Sequence, residues 1–253
     1  MFKNMVIFIF LFLTLNSCSE NAQGVTEMPS DFVELKEVNP NIVYDLRYYS
    51  KHNFVGDTID GYEAKKCYMT RVSAKALSEV QKELEEIGFT IKVYDAYRPQ
   101  RAVDHFVRWA KDIDDTRMRK EFYPDVDKKN LFKDGYIAAK SSHSRGSTVD
   151  LTIVPLPVPE QEQYKPGMEL CECYKSREER FGDNSIDMGT GFDCFDEHSH
   201  PLNKSLSVQQ RANRMLLRTL MTKHGFVPYE QEWWHFTFKE EPYPNTYFDF
   251  PIK

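Results

Sequence analysis

A carboxylate stands inside an apolar, β-branched run, Val149-Asp150-Leu151-Thr152-Ile153-Val154. A strand of this composition belongs in the interior, and a carboxylate carried inward must be paired with a cation or bound to one. Whatever fold the chain adopts has to bring a partner to Asp150. Seven residues upstream lies His143, followed by Gly146, which permits a tight turn, and some 80 residues downstream lies Glu232-Trp233-Trp234-His235. His143, Asp150 and His235 together offer two imidazoles and one carboxylate. Three such ligands leave one position of a tetrahedral Zn2+ open to water, as catalytic rather than structural zinc sites do. Glu232 beside that position is a ready general base. The pattern points to a zinc hydrolase.

Each residue also has a plainer reading. His143 among Ser and Arg could serve as a loop hydrogen-bonding group, and Glu232 could be a surface residue beside two core tryptophans. Glu232 and His235 are three apart, and the aromatic run Trp233 to Phe238 after Pro228 favours a strand. Residues i and i+3 of a regular strand face opposite sides. The expectation is that His235 lies on the strand, with Glu232 just before it on irregular backbone.

Elsewhere the pattern is mixed. Val72, Ala76, Leu77, Val80, Leu84 and Ile87 recur at helical spacing over 70–87 and predict an amphipathic helix ended by Gly88. Phe89 to Tyr97 reads as a strand that delivers Asp95 and Arg98 at its end, before a helix from Gln100 to about Trp109. Residues 112–140 are charged and irregular, and helical in part. Pro155-Leu156-Pro157-Val158-Pro159 breaks the strand bearing Asp150. Residues 160–199 form a long excursion, the kind of loop that is functional or pinned down. A second helix spans 207–223, with Val208, Ala212, Met215, Leu216, Leu220 and Met221 expected on its buried side. Without a regular βαβ alternation, the fold class is α+β: one domain with a small, mainly antiparallel sheet covered by helices.

The chain opens with Met1-Phe2-Lys3-Asn4-Met5 and an apolar stretch from Val6 to Leu15, too short to span a bilayer and typical of a secretory signal. Leu15-Asn16-Ser17-Cys18 resembles a bacterial lipobox. The expected organisation is a lipoprotein signal over 1–17, a tether over 18–29 and the folded domain over 30–253. The protein is then exported and held at the cell envelope through lipid on Cys18. A net charge of -6 without any Lys/Arg block argues against a nucleic-acid partner or a polybasic membrane contact. In an oxidising compartment, Cys67, Cys171, Cys173 and Cys194 read as candidates for disulfides in one of three connectivities. A direct Cys171–Cys173 bridge is disfavoured by its small ring; a four-cysteine structural zinc site is the alternative.

Several motifs recur together in a known order. Ser-x-His-x-x-Gly-x-x-x-Asp (141–150) and Glu-x-Trp-His (232–235) accompany Tyr44-Asp45-Leu46-Arg47-Tyr48, Asn53-Phe54-Val55-Gly56 and Asp60-Gly61-Tyr62. Tyr94-Asp95-Ala96-Tyr97-Arg98-Pro99 and Asp187-Met188-Gly189-Thr190-Gly191-Phe192-Asp193 complete the set. The chain resembles the zinc D-alanyl-D-alanine dipeptidases of the vancomycin-resistance type, over most of its length. The resemblance implies a fold of the D,D-peptidase and Hedgehog type with one Zn2+ per chain on the sheet. It makes His143, Asp150 and His235 the metal ligands, Glu232 the general base and Arg98 the stabiliser of the oxyanion. Tyr48 and Asp193 match positions that engage the substrate ammonium, Ser141 lies toward the substrate carboxylate, and Asp95 braces Arg98. The implied partner is a small dipeptide, and export favours wall turnover or salvage. A D,D-carboxypeptidase or related peptidoglycan peptidase on the same scaffold is the nearest alternative, and a non-catalytic zinc-binding wall lipoprotein the more distant one.

Overall fold

The computed structural model describes residues 25–253; the expected signal segment and Cys18 lie outside the described residues. From the expected tether, Val25 pairs with Phe248 in an isolated parallel bridge. The strands are β1 (Phe32–Glu34), β2 (Val43–Tyr44), β3 (Tyr68–Thr70), β4 (Phe89–Asp95), β5 (Thr148–Pro155), β6 (Phe226–Tyr229) and β7 (Glu232–Phe238). The helices are α1 (Leu35–Val38), α2 (Arg71–Glu86), α3 (Gln100–Lys111), α4 (Arg119–Phe122) and α5 (Val208–Lys223).

Five strands form one sheet in the order β2-β4-β5-β7-β6, and β1 pairs with β3 in a separate two-stranded ribbon. Only the β2–β4 pairing of the main sheet is parallel; the other three are antiparallel. The α+β, mainly antiparallel expectation holds. The strand carrying Asp150 is central because its apolar residues Val149, Leu151 and Ile153 are fully buried. Helix α2 packs on β4, α5 packs on β6 and β7, and the two helices touch. Among the described residues no helix is long and apolar enough to cross a membrane.

The helices form where the 3.6-residue period places them, yet their buried faces differ from the apolar stripe read off the sequence. In α2, Leu77, Val80 and Leu84 are fully buried while Val72 and Ile87 are exposed. Their place is taken by Ser73, Ala74 and Gln81. The Gln81 amide accepts from Ile91 N (2.8 Å) and donates to Thr90 Oγ1 (2.8 Å), serving the neighbouring strand. In α5, Val208 is 87% exposed and Ala212 and Met215 also face out. Met221 is buried as expected, and Arg214 and Leu217 are buried beside it. Arg214 can enter because its guanidinium donates to three carbonyls, those of Met188, His200 and His198, at 2.6, 2.7 and 2.8 Å. Ser207 starts this helix through a reciprocal capping box with Gln210, which satisfies donors the first turn leaves open.

The excursion 160–199 is pinned to the sheet. Lys92 and Tyr94 share one face of β4 by alternation, and both reach Asp183, at 2.6 and 2.7 Å. Cys173 and Cys194 form a disulfide, while Cys67 and Cys171 are free thiols. The four-cysteine zinc alternative is thereby excluded, since two of its four sulfurs are bonded to each other.

Candidate active site

The site is built across the middle of the sheet. Asp150 of β5 lies directly opposite Asp95 of β4 on one side and His235 of β7 on the other. Opposed residues of neighbouring strands project to the same face, so three polar side chains form a row there. His143 joins the row from the 3-10 turn Ser142–Arg145 that leads into β5. Ser141 starts the turn, its hydroxyl accepting from His143 N (3.3 Å). Gly146 closes it in the left-handed region (φ 83°), donating from its N–H to the His143 carbonyl at 3.0 Å. A Cβ at Gly146 would stand 2.2 Å from Cζ of Phe32, so the turn admits no side chain there.

Ligand atoms of His143, Asp150 and His235 all lie within 4.8 Å of one another. His143 Nε2 is 3.2 Å from Asp150 Oδ2 and 3.2 Å from His235 Nδ1, which is 3.1 Å from Asp150 Oδ1. The outer ring nitrogens settle the orientation. His143 Nδ1 is 2.7 Å from the Ala96 carbonyl, an oxygen that can only accept; Nδ1 therefore carries the proton and Nε2 presents its lone pair inward. His235 Nε2 lies 3.3 Å from Ser142 Oγ, leaving Nδ1 facing Asp150.

This donor set fits a metal ion. Two ligands at ~2.05 Å from one tetrahedral ion stand about 3.3 Å apart, close to the separations found here. Asp150 Oδ1 is buried and accepts no hydrogen bond from the protein, an expensive condition for a carboxylate oxygen without a cation. An imidazole whose far nitrogen is held by a backbone carbonyl is also the usual support of a metal-bound histidine.

Glu232 sits on β7 itself, at its first residue, rather than before the strand. The irregular backbone is inside the strand: Pro228 pairs with Phe236, but the next residue, Tyr229, pairs with Glu232. Trp233, Trp234 and His235 thus face no residue of β6, and this break cancels the strict alternation. Glu232 Oε2 comes to 3.5 Å from His235 Nδ1. Arg98 arrives from the end of β4. Its Nε donates to Asp95 Oδ2 (2.9 Å), and Tyr62 donates to Asp95 Oδ1 (2.6 Å), so Asp95 braces the guanidinium. Arg98 Nη2 reaches Tyr48 Oη and Asp150 Oδ2, each at 3.5 Å, with the guanidinium over the Tyr48 ring. Tyr48 donates to Asp193 Oδ2 at 2.9 Å.

All of these groups except Asp95 and Tyr62, which brace Arg98 from behind, border one cavity of about 410 Å³ with Ser141 on its wall. Phe106, Ile137, Phe195 and Tyr229 supply apolar surface around it. The electrostatics divide the carboxylates. Burial would raise Asp150, but the imidazoles of His143 and His235 outweigh it and hold the group far below the ordinary carboxylate range. Burial, with the charge of Asp150 adding to it, pushes Glu232 up to about 7, a value suited to proton transfer near neutrality. Burial and Asp150 likewise raise Asp193 well above the usual range. Among the described residues no cation forms an ion pair with Asp193, and the charge of Arg98 only partly offsets its burial.

Sequence reasoning did not single out Ser142, Tyr62 or the Ala96 carbonyl. Tyr62 lay in a recognisable stretch; a backbone carbonyl has no sequence signature at all.

The profile of the M15 peptidases, described as D-Ala-D-Ala dipeptidase, matches residues 28–157 and 167–253. A D-alanyl-D-alanine dipeptidase of Streptomyces coelicolor is 39% identical over 225 residues, covering 89% of this chain and all of the relative. One of Enterococcus faecalis is 36% identical over the same shares, and one of Escherichia coli is 29% identical over 82% of this chain and 84% of its own length. With its motifs, its fold and its near full-length relatives in agreement, the chain belongs to the M15 peptidase family of D-Ala-D-Ala dipeptidases.

Proposed function

We propose that the protein is a zinc dipeptidase that hydrolyses free D-alanyl-D-alanine to two molecules of D-alanine. The observation that carries this reading is the convergence of His143 Nε2, His235 Nδ1 and the Asp150 carboxylate beside Glu232 on one cavity wall. In that reading His143, Asp150 and His235 hold the ion. A bound Zn2+ would supply Lewis acidity that brings the pKa of water toward neutrality. Glu232 takes the proton of the attacking water and returns it to the departing amine. Arg98, locked by Asp95, presents a permanent charge to the carbonyl oxygen on which negative charge develops.

Asp193 and Tyr48 receive the substrate ammonium, and Ser141 lies toward the carboxylate end. The ammonium supplies the cation that buried Asp193 lacks. An N-acylated substrate leaves that carboxylate unpaired, at a cost of several kcal/mol that disfavours it by roughly two or more orders of magnitude. Free dipeptide is therefore preferred over the ends of wall stem peptides. The apolar N-terminus with Cys18 supports an exported, lipid-anchored enzyme at the envelope, acting in turnover or salvage of wall-derived dipeptide.

The test is alanine release by purified, zinc-loaded chain lacking residues 1–18, on D-Ala-D-Ala and N-acetyl-D-Ala-D-Ala side by side, with Glu232→Ala as control. Turnover of the free dipeptide only, abolished in the variant, establishes the reading. Efficient hydrolysis of the acylated substrate replaces it with a wall carboxypeptidase, and no turnover of either with zinc bound removes the catalytic assignment.

A further inference from the structure

Asp193 has a backbone feature shared by no other non-glycine residue among those described: its φ is 57°, in the left-handed region. A strained residue at a site persists only when its neighbours over-determine it. The backbone does little of that here. Gly191 N donates to the Cys173 carbonyl (2.8 Å) and Phe195 N to the Phe122 carbonyl (2.8 Å), but no N–H of residues 192–194 donates to a backbone carbonyl. Besides the Cys194 carbonyl, which accepts from Asp196 N (2.9 Å) and Ser199 Oγ (2.6 Å), residues 192–194 are held by their side chains. On one side of Asp193, the Phe192 ring stacks on Tyr94, with centroids 4.4 Å apart and planes at 15°. On the other side, Cys194 is bonded to Cys173. Cys173 is anchored in turn, its N–H donating to the Glu121 carbonyl (3.0 Å), and the Glu121 carboxylate is held by buried His52 at 2.9 Å.

We propose that Cys173 and Cys194 are positioning residues whose disulfide fixes Asp193 at the amine end of the cavity, so that selection of a free ammonium depends on that bond. This rests on the dipeptidase reading given above. The sulfurs themselves are buried and touch no substrate; they act through the backbone of Asp193. Without the bond, residues 193–194 can relax to an ordinary φ, which turns the Asp193 carboxylate away from Tyr48 Oη. The ion-binding row and Glu232 lie on β5, β7 and the His143 turn, and Cys173 and Cys194 lie on none of these.

The experiment compares zinc-loaded wild type, Cys173→Ala/Cys194→Ala, Asp193→Ala and the control Cys171→Ala on D-Ala-D-Ala and N-acetyl-D-Ala-D-Ala. In the double variant, KM for the free dipeptide is expected to rise about 10- to 100-fold with kcat little changed, the scale on which misplacing a binding group acts. Turnover of the acylated substrate and zinc content should stay as in wild type, and Cys171→Ala should match wild type throughout. A double variant that keeps the wild-type preference while Asp193→Ala loses it overturns the proposal, as does an equal loss on both substrates, which marks a purely structural bond. If the double variant does not fold, wild type reduced with a phosphine rather than a zinc-chelating dithiol, below its melting temperature and with thiols and zinc content both measured, gives the same comparison. A wild type that shows no preference for free dipeptide, unchanged by Asp193→Ala, removes the dipeptidase reading and this proposal with it.

Discussion

Replacing Gly146 by alanine tests whether the histidine turn is set by steric exclusion. Gly146 has φ 83°, and alanine in the left-handed region costs about 1–2 kcal/mol. The new methyl would also stand 2.2 and 2.3 Å from two carbons of the Phe32 ring. That ring cannot withdraw easily, since Tyr97, Phe248 and Phe250 pack around it with centroids 5.6, 5.2 and 5.2 Å away. Overpacking of this kind costs about 1–3 kcal/mol more. Gly88 provides the matched control, because it has the same φ of 83° with nothing within 4 Å of an added Cβ. Any loss of unfolded-chain entropy is common to both substitutions. Gly88→Ala should therefore lose about 1–2 kcal/mol and Gly146→Ala about 2–5 kcal/mol, read from urea unfolding of metal-free protein with unchanged m-values. Gly146→Ala should also weaken zinc binding in a chelator competition, since Gly146 N–H closes the turn on the His143 carbonyl, and Gly88→Ala should not. Equal losses for the two variants would refute the argument.

Glu232→Gln should lower kcat about 10²- to 10⁴-fold with zinc content unchanged, because it removes the base and spares the three candidate ligands; loss of zinc instead would make Glu232 a ligand. In the wild type, kcat should fall as the pH drops through about 7 or below, since Glu232 must be ionised to accept a proton, and the acidic limb should vanish in the variant. Arg98→Lys should cost about 10²–10³ in kcat, because an ammonium cannot both hold Asp95 and face the cavity; steady-state kinetics retaining wild-type rates would remove the oxyanion role. Asp183→Asn strands buried Lys92 and should destabilise by roughly 3–5 kcal/mol at neutral pH in denaturant titrations. Burial would raise Asp183, but Lys92 and Arg47 hold it below the ordinary range. The stabilisation is therefore full above the unfolded carboxylate pKa of about 4 and is lost as pH falls below it, so the gap between wild type and variant should narrow in acid.

Local pattern alone determined the two long helices, the strands around Asp95 and Asp150, and the demand that Asp150 find a partner. Helix and strand periods are properties of neighbouring residues, and an apolar run around a carboxylate states its own conflict. The motifs then named the residues that the fold brings together: His143, Asp150, His235, Glu232 and Arg98 stand on one cavity. What local pattern could not supply was partner choice. Arg214 and Gln81 are buried where apolar spacing favoured Val208, Met215, Val72 and Ile87, because carbonyls and a strand N–H distant in sequence receive them. Cys173 pairs with Cys194 rather than with either other described cysteine, because the carbonyls of neighbouring Glu121 and Phe122 accept from Cys173 N and Phe195 N, and Gly191 N donates to the Cys173 carbonyl, which sets the two segments side by side. Glu232 reaches the site through a break in the β6–β7 pairing, where strict alternation would point it away. The side-chain pairings among these join groups from 10 residues apart, Gln81 with Ile91, to 26 apart, Arg214 with Met188, that meet only in the folded state. Their energies come from burial and mutual satisfaction of polar groups, which exist only once the tertiary structure has excluded water.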